Sequence, residues 1–391
     1  MKKLQLVTVI AAVLILFSCK GNTQPAPIEL ATASPTVVKK PVKPATIQIA
    51  LLLDTSNSMD GLINQAKDQL WDIVTQMSYA HCNETQAQLE IALYEYGNSN
   101  LSSQSDYIRQ VLPFSTDLDI ISKELFALRT KGGDEYCGAV IKDAVDHLEW
   151  RDGAQDLKMI FIAGNESFYQ GSVSSEFAMG MAVQNDITVN TIFCGERTNG
   201  INLKWKDSAL LGKGEYTFIN HNQQAQYVAT PYDDQIIQLN SKLNNTYVVY
   251  GYRAQEAQSL QSRMDERVAG VSVQSNVKRT VAKSTKAYSN SSWDLIDAAA
   301  DEEELEELIV KNKETLSADL KDKTVEEVKA ITLEKKKERD AIQTQIQQLN
   351  KQREAYVASN SKNESGGLET ALLKALKKQA AGKNYTWKKE S

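Results

Sequence analysis

The sequence predicts a doubly wound α/β domain, a mostly parallel sheet with helices on both faces, followed by a mainly α-helical extension. Three observations carry this expectation. Short continuous apolar runs, the mark of strands buried on both faces, alternate with segments whose apolar residues recur at helical spacing. Strands separated by helices need crossover connections and therefore lie parallel. Beyond about Tyr250 the apolar runs stop, and Gln, Glu, Lys and Ala take over.

The first residues, MKKLQLVTVIAAVLILFSC, combine two Lys, an apolar run too short to span a bilayer, and Ser18 before Cys19. Residues 1–18 therefore read as an export signal. Leu16-Phe17-Ser18-Cys19 resembles the lipobox of bacterial lipoproteins, although Phe17 is bulkier than the usual residue there. That resemblance implies cleavage before Cys19 and lipid on its thiol, which would hold the chain to a membrane. An ordinary signal peptide with a chance Cys is the alternative. Residues 19–45, with Pro25, Pro27, Pro35, Pro41 and Pro44, read as a flexible tether. Lys20 after the Cys tips the expected location in the cell envelope toward an outer membrane, with the face left open.

Residues 46–245 carry the alternating pattern. IQIALLLD is a buried strand, and Leu62 to Tyr79 a helix with Ile63, Ala66, Leu70, Ile73, Val74 and Met77 on its apolar face. LEIALYEYG and YIRQVLPF follow as strands, Asp117 to Leu128 and CGAVIKDAVDHL as helices, and LKMIFIAG as another buried strand. Phe177 to Val183 is a helix, ITVNTIFCG a strand, GEYTFI the sixth strand, and Gln235 to Leu243 the closing helix. Trp205 is expected in the core of a helix before the last strand.

In residues 246–391, Ala254 to Arg267 reads as a helix, Val271 to Ser292 as polar and loosely patterned, and Trp293 to Val310 as one acidic helix. Val325 to Val357 is a long charged helix whose Ile342, Ile346, Leu349 and Tyr356 follow 4-3 spacing. Barely two heptads allow a coiled coil; a helical hairpin, or a helix laid on the globular domain, is the alternative. From Ser359 a Ser/Gly/Lys-rich flexible tail is expected, with a short helix at Leu368 to Leu376.

The chemistry-bearing stretch is DTSNS, residues 54–58, at the mouth of the first strand. Doubly wound sheets bind ligands at the carboxyl ends of their strands. A turn there lets Asp54, Ser56 and Ser58 point to one side, one carboxylate and two hydroxyls for an oxygen-loving divalent cation such as Mg²⁺. Capping of the next helix is the alternative use of these residue types.

The order of DTSNS, long helix, ALYEYG, strand, helix and GG turn resembles the von Willebrand factor A domain over about Thr46 to Asn245. The resemblance implies a Rossmann-like six-stranded sheet, a metal-ion-dependent adhesion site at its top, and protein binding in which a partner carboxylate completes the shell of the cation. Mg²⁺ is foremost, with Mn²⁺ or Ca²⁺ as alternatives. Asp54, Ser56 and Ser58 take the first-loop positions. The second loop, RTKGGDEYCG, departs from the pattern; Asp134 is the candidate ligand, with Thr130 and Glu135 as lesser ones. The third loop, IFIAGNESF, has Gly164 where the family carries Asp, which leaves Asn165 or Glu166.

Two states are open for the remaining cysteines. Either Cys137 and Cys194 pair and brace the top loops, leaving Cys82 free, or all three are buried apolar residues. Nothing in the chain resembles an acid/base or nucleophile constellation. His81, His147 and His221 are isolated, and neither a nucleophile elbow nor a phosphate-binding loop occurs. With a net charge of -6 and no basic stripe, nucleic acid is not an expected partner. The expected function is a non-enzymatic, lipid-anchored envelope protein that binds a partner protein through a metal site. The rival reading is a metal-free structural lipoprotein whose helical extension makes the contacts.

Overall fold

The first strand reads as continuous apolar sequence because both of its faces are covered. In the computed structural model, which describes residues 44–219, 227–360 and 368–388, Ile47, Ile49, Leu51 and Leu53 enter one core cluster, while Ala50 and Leu52 enter another across the sheet. The signal segment, Cys19 and nearly all of the tether lie outside the described residues.

The chain runs β1 (Thr46–Asp54), α1 (Asp60–Met77), β2 (Ala80–Cys82), β3 (Thr85–Gln86), β4 (Gln88–Tyr96), β5 (Ile108–Ser115), α2 (Leu118–Ala127), α3 (Cys137–His147), β6 (Leu157–Gly164), α4 (Ser175–Gln184), β7 (Thr188–Cys194), α5 (Arg197–Asn202), α6 (Trp205–Leu211), β8 (Lys213–Ile219) and α7 (Asp233–Asn244). The sheet has the order β5-β4-β1-β6-β7-β8. All neighbours are parallel except β4 and β5. This is the expected six-stranded, mostly parallel Rossmann-like sheet. Its register sets Asp54 beside Tyr96, and Leu53 beside Ala163, so β1, β4 and β6 end together.

The extension continues with α8 (Ala254–Ala269), α9 (Val273–Lys283), α10 (Leu295–Ala298), α11 (Glu302–Lys311), α12 (Ala318–Lys321), α13 (Val325–Asn360), α14 (Leu368–Ala380) and β9 (Tyr385–Trp387). The long helix lies on the globular part: Ile342 and Ile346 pack with Ile236, Leu239 and Leu243 of α7 and Val277 and Val281 of α9. The 4-3 spacing is thus used within the chain. Arg339 of α13 is buried against Asp294 at 2.6 Å and Asp297 at 2.9 Å, and Arg353 reaches Asp233 at 2.9 Å.

Three expectations need correction. The polar stretch after Val271 holds a helix, α9. Its inward face includes Arg279, Thr280 and Lys283, all buried, so an apolar-periodicity reading does not see it. The acidic helix is two helices, because Asp301 turns its carboxylate onto the N–H groups of Glu303 and Glu304 and starts α11 afresh. The tail is not simply flexible. Leu372, Ala375, Leu376 and Ala380 of α14 belong to the same core cluster as α1, and β9 pairs with β2, setting Tyr385 beside Cys82. Residues 361–367 and 389–391 of that tail are outside the described set.

Candidate metal site at the top of the sheet

Asp54 is the last residue of β1 and fully buried. The chain then turns: the Ser56 N–H donates to Asp54 Oδ1 at 2.7 Å, and a 3-10 turn at Asn57–Met59 leads into α1. Neither that turn nor α1 has a side-chain cap, so the capping use of these residues is not realised. Ser56 and Ser58 bring their hydroxyls to 3.3 Å, and Asn165 Nδ2 donates to Ser58 Oγ at 3.0 Å. The second loop is fixed to the first by the Lys131 N–H on the Thr55 carbonyl at 2.9 Å and the Gly132 N–H on Asn57 Oδ1 at 2.7 Å.

The second-loop acid at the site is Glu135, not Asp134. Glu135 is buried and accepts from the Glu166 N–H at 3.3 Å. Gly97, with φ of +74°, makes room for it: a Cβ there would lie 2.8 Å from Asp54 Oδ1 and 2.9 Å from Glu135 Cγ. Asp134 is exposed and accepts from the Tyr136 hydroxyl at 3.2 Å. Residue types did not separate the two acids: the chain turns here, with the Cys137 N–H on the Glu135 carbonyl at 3.2 Å, and α3 begins at Cys137. Thr130 donates to Asp60, the first residue of α1. Glu166 is exposed, and its carboxylate meets Gln170; Asn165 is the third-loop residue that joins the cup.

Burial pushes the Asp54 carboxyl well above its ordinary range, and the adjacent Glu135 carboxylate adds to the shift. Burial raises Glu135 as well. Two buried carboxylates side by side need a shared proton or a cation between them. Asp54 Oδ2 and Asn165 Oδ1 are buried and lack any hydrogen-bond donor. This donor set of carboxylate, hydroxyl and amide oxygens fits a hard divalent ion that keeps waters or takes a ligand from outside. Among the described residues no group of three or more His, Cys, Asp or Glu is placed to hold a metal ion, so the two carboxylates would need hydroxyl, amide or outside oxygens to complete a shell.

Gly164 stands where a third-loop Asp was expected. A Cβ at that position would lie 2.5 Å from the Tyr96 hydroxyl, which itself donates to the Ala163 carbonyl at 3.0 Å. Tyr96 thus fills the space. It was not singled out from the sequence, where it reads as one more apolar strand residue.

Of the two states open for the cysteines, the Cys137–Cys194 pairing is not formed and the other holds: Cys82, Cys137 and Cys194 are all free and buried. Cys137 lies in the core cluster under α3 and α4, whereas Cys194 lies in the cluster under α1 and α2, across the sheet. The sheet stands between the two thiols. Burial raises both thiol pKa values well above the ordinary range.

No family model matches the chain, and no curated protein matches it. Among solved structures, it is similar to an aerotolerance-related membrane protein from Bacteroides fragilis, with 17% identity, a TM-score of 0.30, and coverage of 45% of this chain and 93% of that one. It is similar to the conserved hypothetical protein BatB from Bacteroides thetaiotaomicron, with 14% identity, a TM-score of 0.35, and coverage of 56% and 99%. It is also similar to proximal thread matrix protein 1 from the mussel byssus with a zinc-occupied MIDAS motif, with 12% identity, a TM-score of 0.33, and coverage of 46% of this chain but only 43% of that one. The fold itself rests on strand order and register: the α/β part has the architecture that the von Willebrand factor A resemblance implied.

Proposed function

We propose that the protein is a non-catalytic binding module that engages a partner protein through a divalent cation at the top of its sheet. Asp54, Ser56, Ser58 and Glu135 would hold the ion, with Asn165 at its rim. The observation that carries this reading is the pair of buried carboxylates, Asp54 and Glu135, beside an Asp54 oxygen that no donor satisfies. Mg²⁺ suits these oxygen donors best, with Mn²⁺ or Ca²⁺ as substitutes. When bound, such an ion supplies a positive centre with an open position for a partner carboxylate. The chain's own residues orient that centre: Gly97 keeps the cup open, Asn165 fixes Ser58, and the Lys131 and Gly132 contacts hold the loops in place. The same proposal has Cys19 lipidated, the tether spacing the module from the membrane, and the protein residing in a bacterial envelope, at an outer membrane for preference.

Calorimetric titration of Mg²⁺, Mn²⁺ and Ca²⁺ into residues 44–391, which form one compact unit, tests the site. Binding that disappears in Asp54→Ala is expected. Absence of heat and of thermal stabilisation for all three ions, with and without a Glu-containing peptide as carboxylate donor, overturns the proposal.

A further inference from the structure

The far edge of the sheet holds a second candidate binding surface, remote in sequence from the DTSNS loop. β8 is the terminal strand of the sheet, and among the described residues no strand pairs with its outer edge. A groove of about 570 Å³ runs along it. Gly214 to Phe218 form the floor, α5 and α6 one wall, and α14 the other. Only because the C-terminal chain folds back as α14 does the strand edge lie in a groove with two walls.

The walls are cationic. Arg197 and Lys206 line one side, Lys374 and Lys378 the other. Glu215 is the single carboxylate of the lining, and it is paired with Lys378. The other three cations have no carboxylate partner among the described residues. This concentration stands out in a chain of net charge -6. Proteins do place Lys on edge strands to repel other strands. Here, however, the lining cations sit on the flanking helices, and the strand stretch between them is Gly-Glu-Tyr-Thr-Phe. The lip adds apolar surface, since Leu210 is 67% exposed and Phe218 44%.

We propose that this groove binds an extended acidic segment of a partner protein, added as a further strand along the outer edge of β8. Main-chain hydrogen bonds to the edge would supply affinity, and side chains alternating to the two sides would meet one cationic wall each. Acidic residues on both sides of the added strand are therefore favoured, with short apolar residues against Leu210 and Phe218. The reading is independent of the cation at Asp54.

The test uses the full chain and a fluorescent Glu/Val peptide as probe, read by anisotropy. An analogue N-methylated at alternate residues and vesicles rich in phosphatidylglycerol run beside it. Binding of the unmodified peptide is expected, weakened about tenfold by Lys206→Glu with Lys374→Glu, the order anticipated when two attractive contacts turn repulsive. Both residues are exposed, and circular dichroism checks that the double variant stays folded. The N-methylated analogue is expected to bind at least about tenfold more weakly, because it cannot pair with a strand edge. Equal binding of the two peptides would mean a simple polyanion trap and overturn the proposal. So would an unchanged double variant, or binding to the vesicles with none to the peptide.

Discussion

Gly164 and Tyr96 occupy one volume at the top of the sheet: a Cβ on Gly164 would lie 2.5 Å from the Tyr96 hydroxyl and 3.1 Å from the Trp205 ring. Neither residue can change size without the other. Gly164→Ala is expected to destabilise the fold by about 1–3 kcal/mol, as overpacking does. Removing the hydroxyl first, in Tyr96→Phe, should reduce that penalty. Urea unfolding of the wild type, both single variants and the double variant gives the coupling directly. Simple additivity would show that the two residues do not share the space. A third-loop Asp at 164 is likewise expected to disrupt packing rather than add a ligand.

The buried acid pair gives a pH signature with a definite sign. Asp54 is raised well above its ordinary value of 3.8, and Glu135 above 4.5, burial being the main cause in each. The folded state therefore binds more protons than the unfolded chain above these values. This contribution to stability is complete below about pH 4 and is lost as pH rises through the folded-state pKa values. Asp297, pushed up to about 6 by burial, adds a slope of the same sign, so the comparison must be with variants. Asp54→Asn and Glu135→Gln are each expected to flatten the fall of the urea midpoint between pH 4 and neutrality. Mg²⁺ at neutral pH should restore stability to the wild type and to neither of these two variants. An identical profile in all three proteins would remove the pair from the account.

What the sequence disclosed follows from which signals it writes in residue types. The sheet was legible because strands covered on both faces are almost wholly apolar, as in Ile47 to Leu53. Asp54, Ser56 and Ser58 were legible because polar residues at a buried strand's end stand out. Glu135 was only half legible: Asp134 and Glu135 are equivalent as types, and only the turn that leads into α3 tells them apart. The absence of a disulfide was not legible, since strand-end positions say which end of the sheet a Cys is near but not which face. The helix α9 was hidden for the opposite reason to the sheet. Its buried side sets Arg279 and Lys283 among Val277, Val281 and Ala282.

Those two cations make a specific energetic claim. Lys283 is fully buried and donates to Asp265 at 2.8 Å, Asn240 at 2.8 Å and Asn244 at 2.6 Å. Arg279 reaches Asp265 at 2.5 Å and Asp119 of α2 at 2.8 Å, and its guanidinium lies over the Trp71 ring of α1. The network thus ties the extension to the α/β part. Burial opposes the Asp265 charge, but Lys283 and Arg279 outweigh it and hold the carboxyl far below its usual range. Asp265→Asn leaves two buried cations short of a partner and is expected to cost about 3–5 kcal/mol. Adding Lys283→Met should recover part of it. Burial also pulls Lys283 down to about 8 from 10.5. Its contribution is present above 10.5 and lost as pH falls through 8, a slope that Lys283→Met should abolish. Urea midpoints across that range check both statements.

The thiols give a simpler test. With Cys82, Cys137 and Cys194 free and buried, alkylation of the native protein without reductant should be slow at all three. In denaturant, still without reductant, all three should react, as counted by the mass of tryptic peptides. A denatured protein in which Cys137 and Cys194 resist alkylation until reduced would restore the disulfide.

The C-terminal return is the remaining claim, and it bears on the groove at β8 as well as on stability. Leu372, Ala375, Leu376 and Ala380 contribute to the main core. Tyr385 donates to the Gln155 carbonyl at 2.9 Å, and Lys383 to the Asp156 carbonyl at 2.7 Å. A tail that merely leaned on the domain would tolerate truncation of its side chains. Leu376, 1% exposed, should instead behave as a core residue, with Leu376→Ala costing about 2–5 kcal/mol. Removing the chain after Asn360 should cost more, expose the α1 face to proteolysis, and abolish binding of the Glu/Val peptide, because one cationic wall leaves with α14. If Leu376→Ala leaves the urea midpoint unchanged, α14 is not part of the core. Truncation that weakens the fold yet spares peptide binding would separate the two roles and assign the groove to β8, α5 and α6 alone.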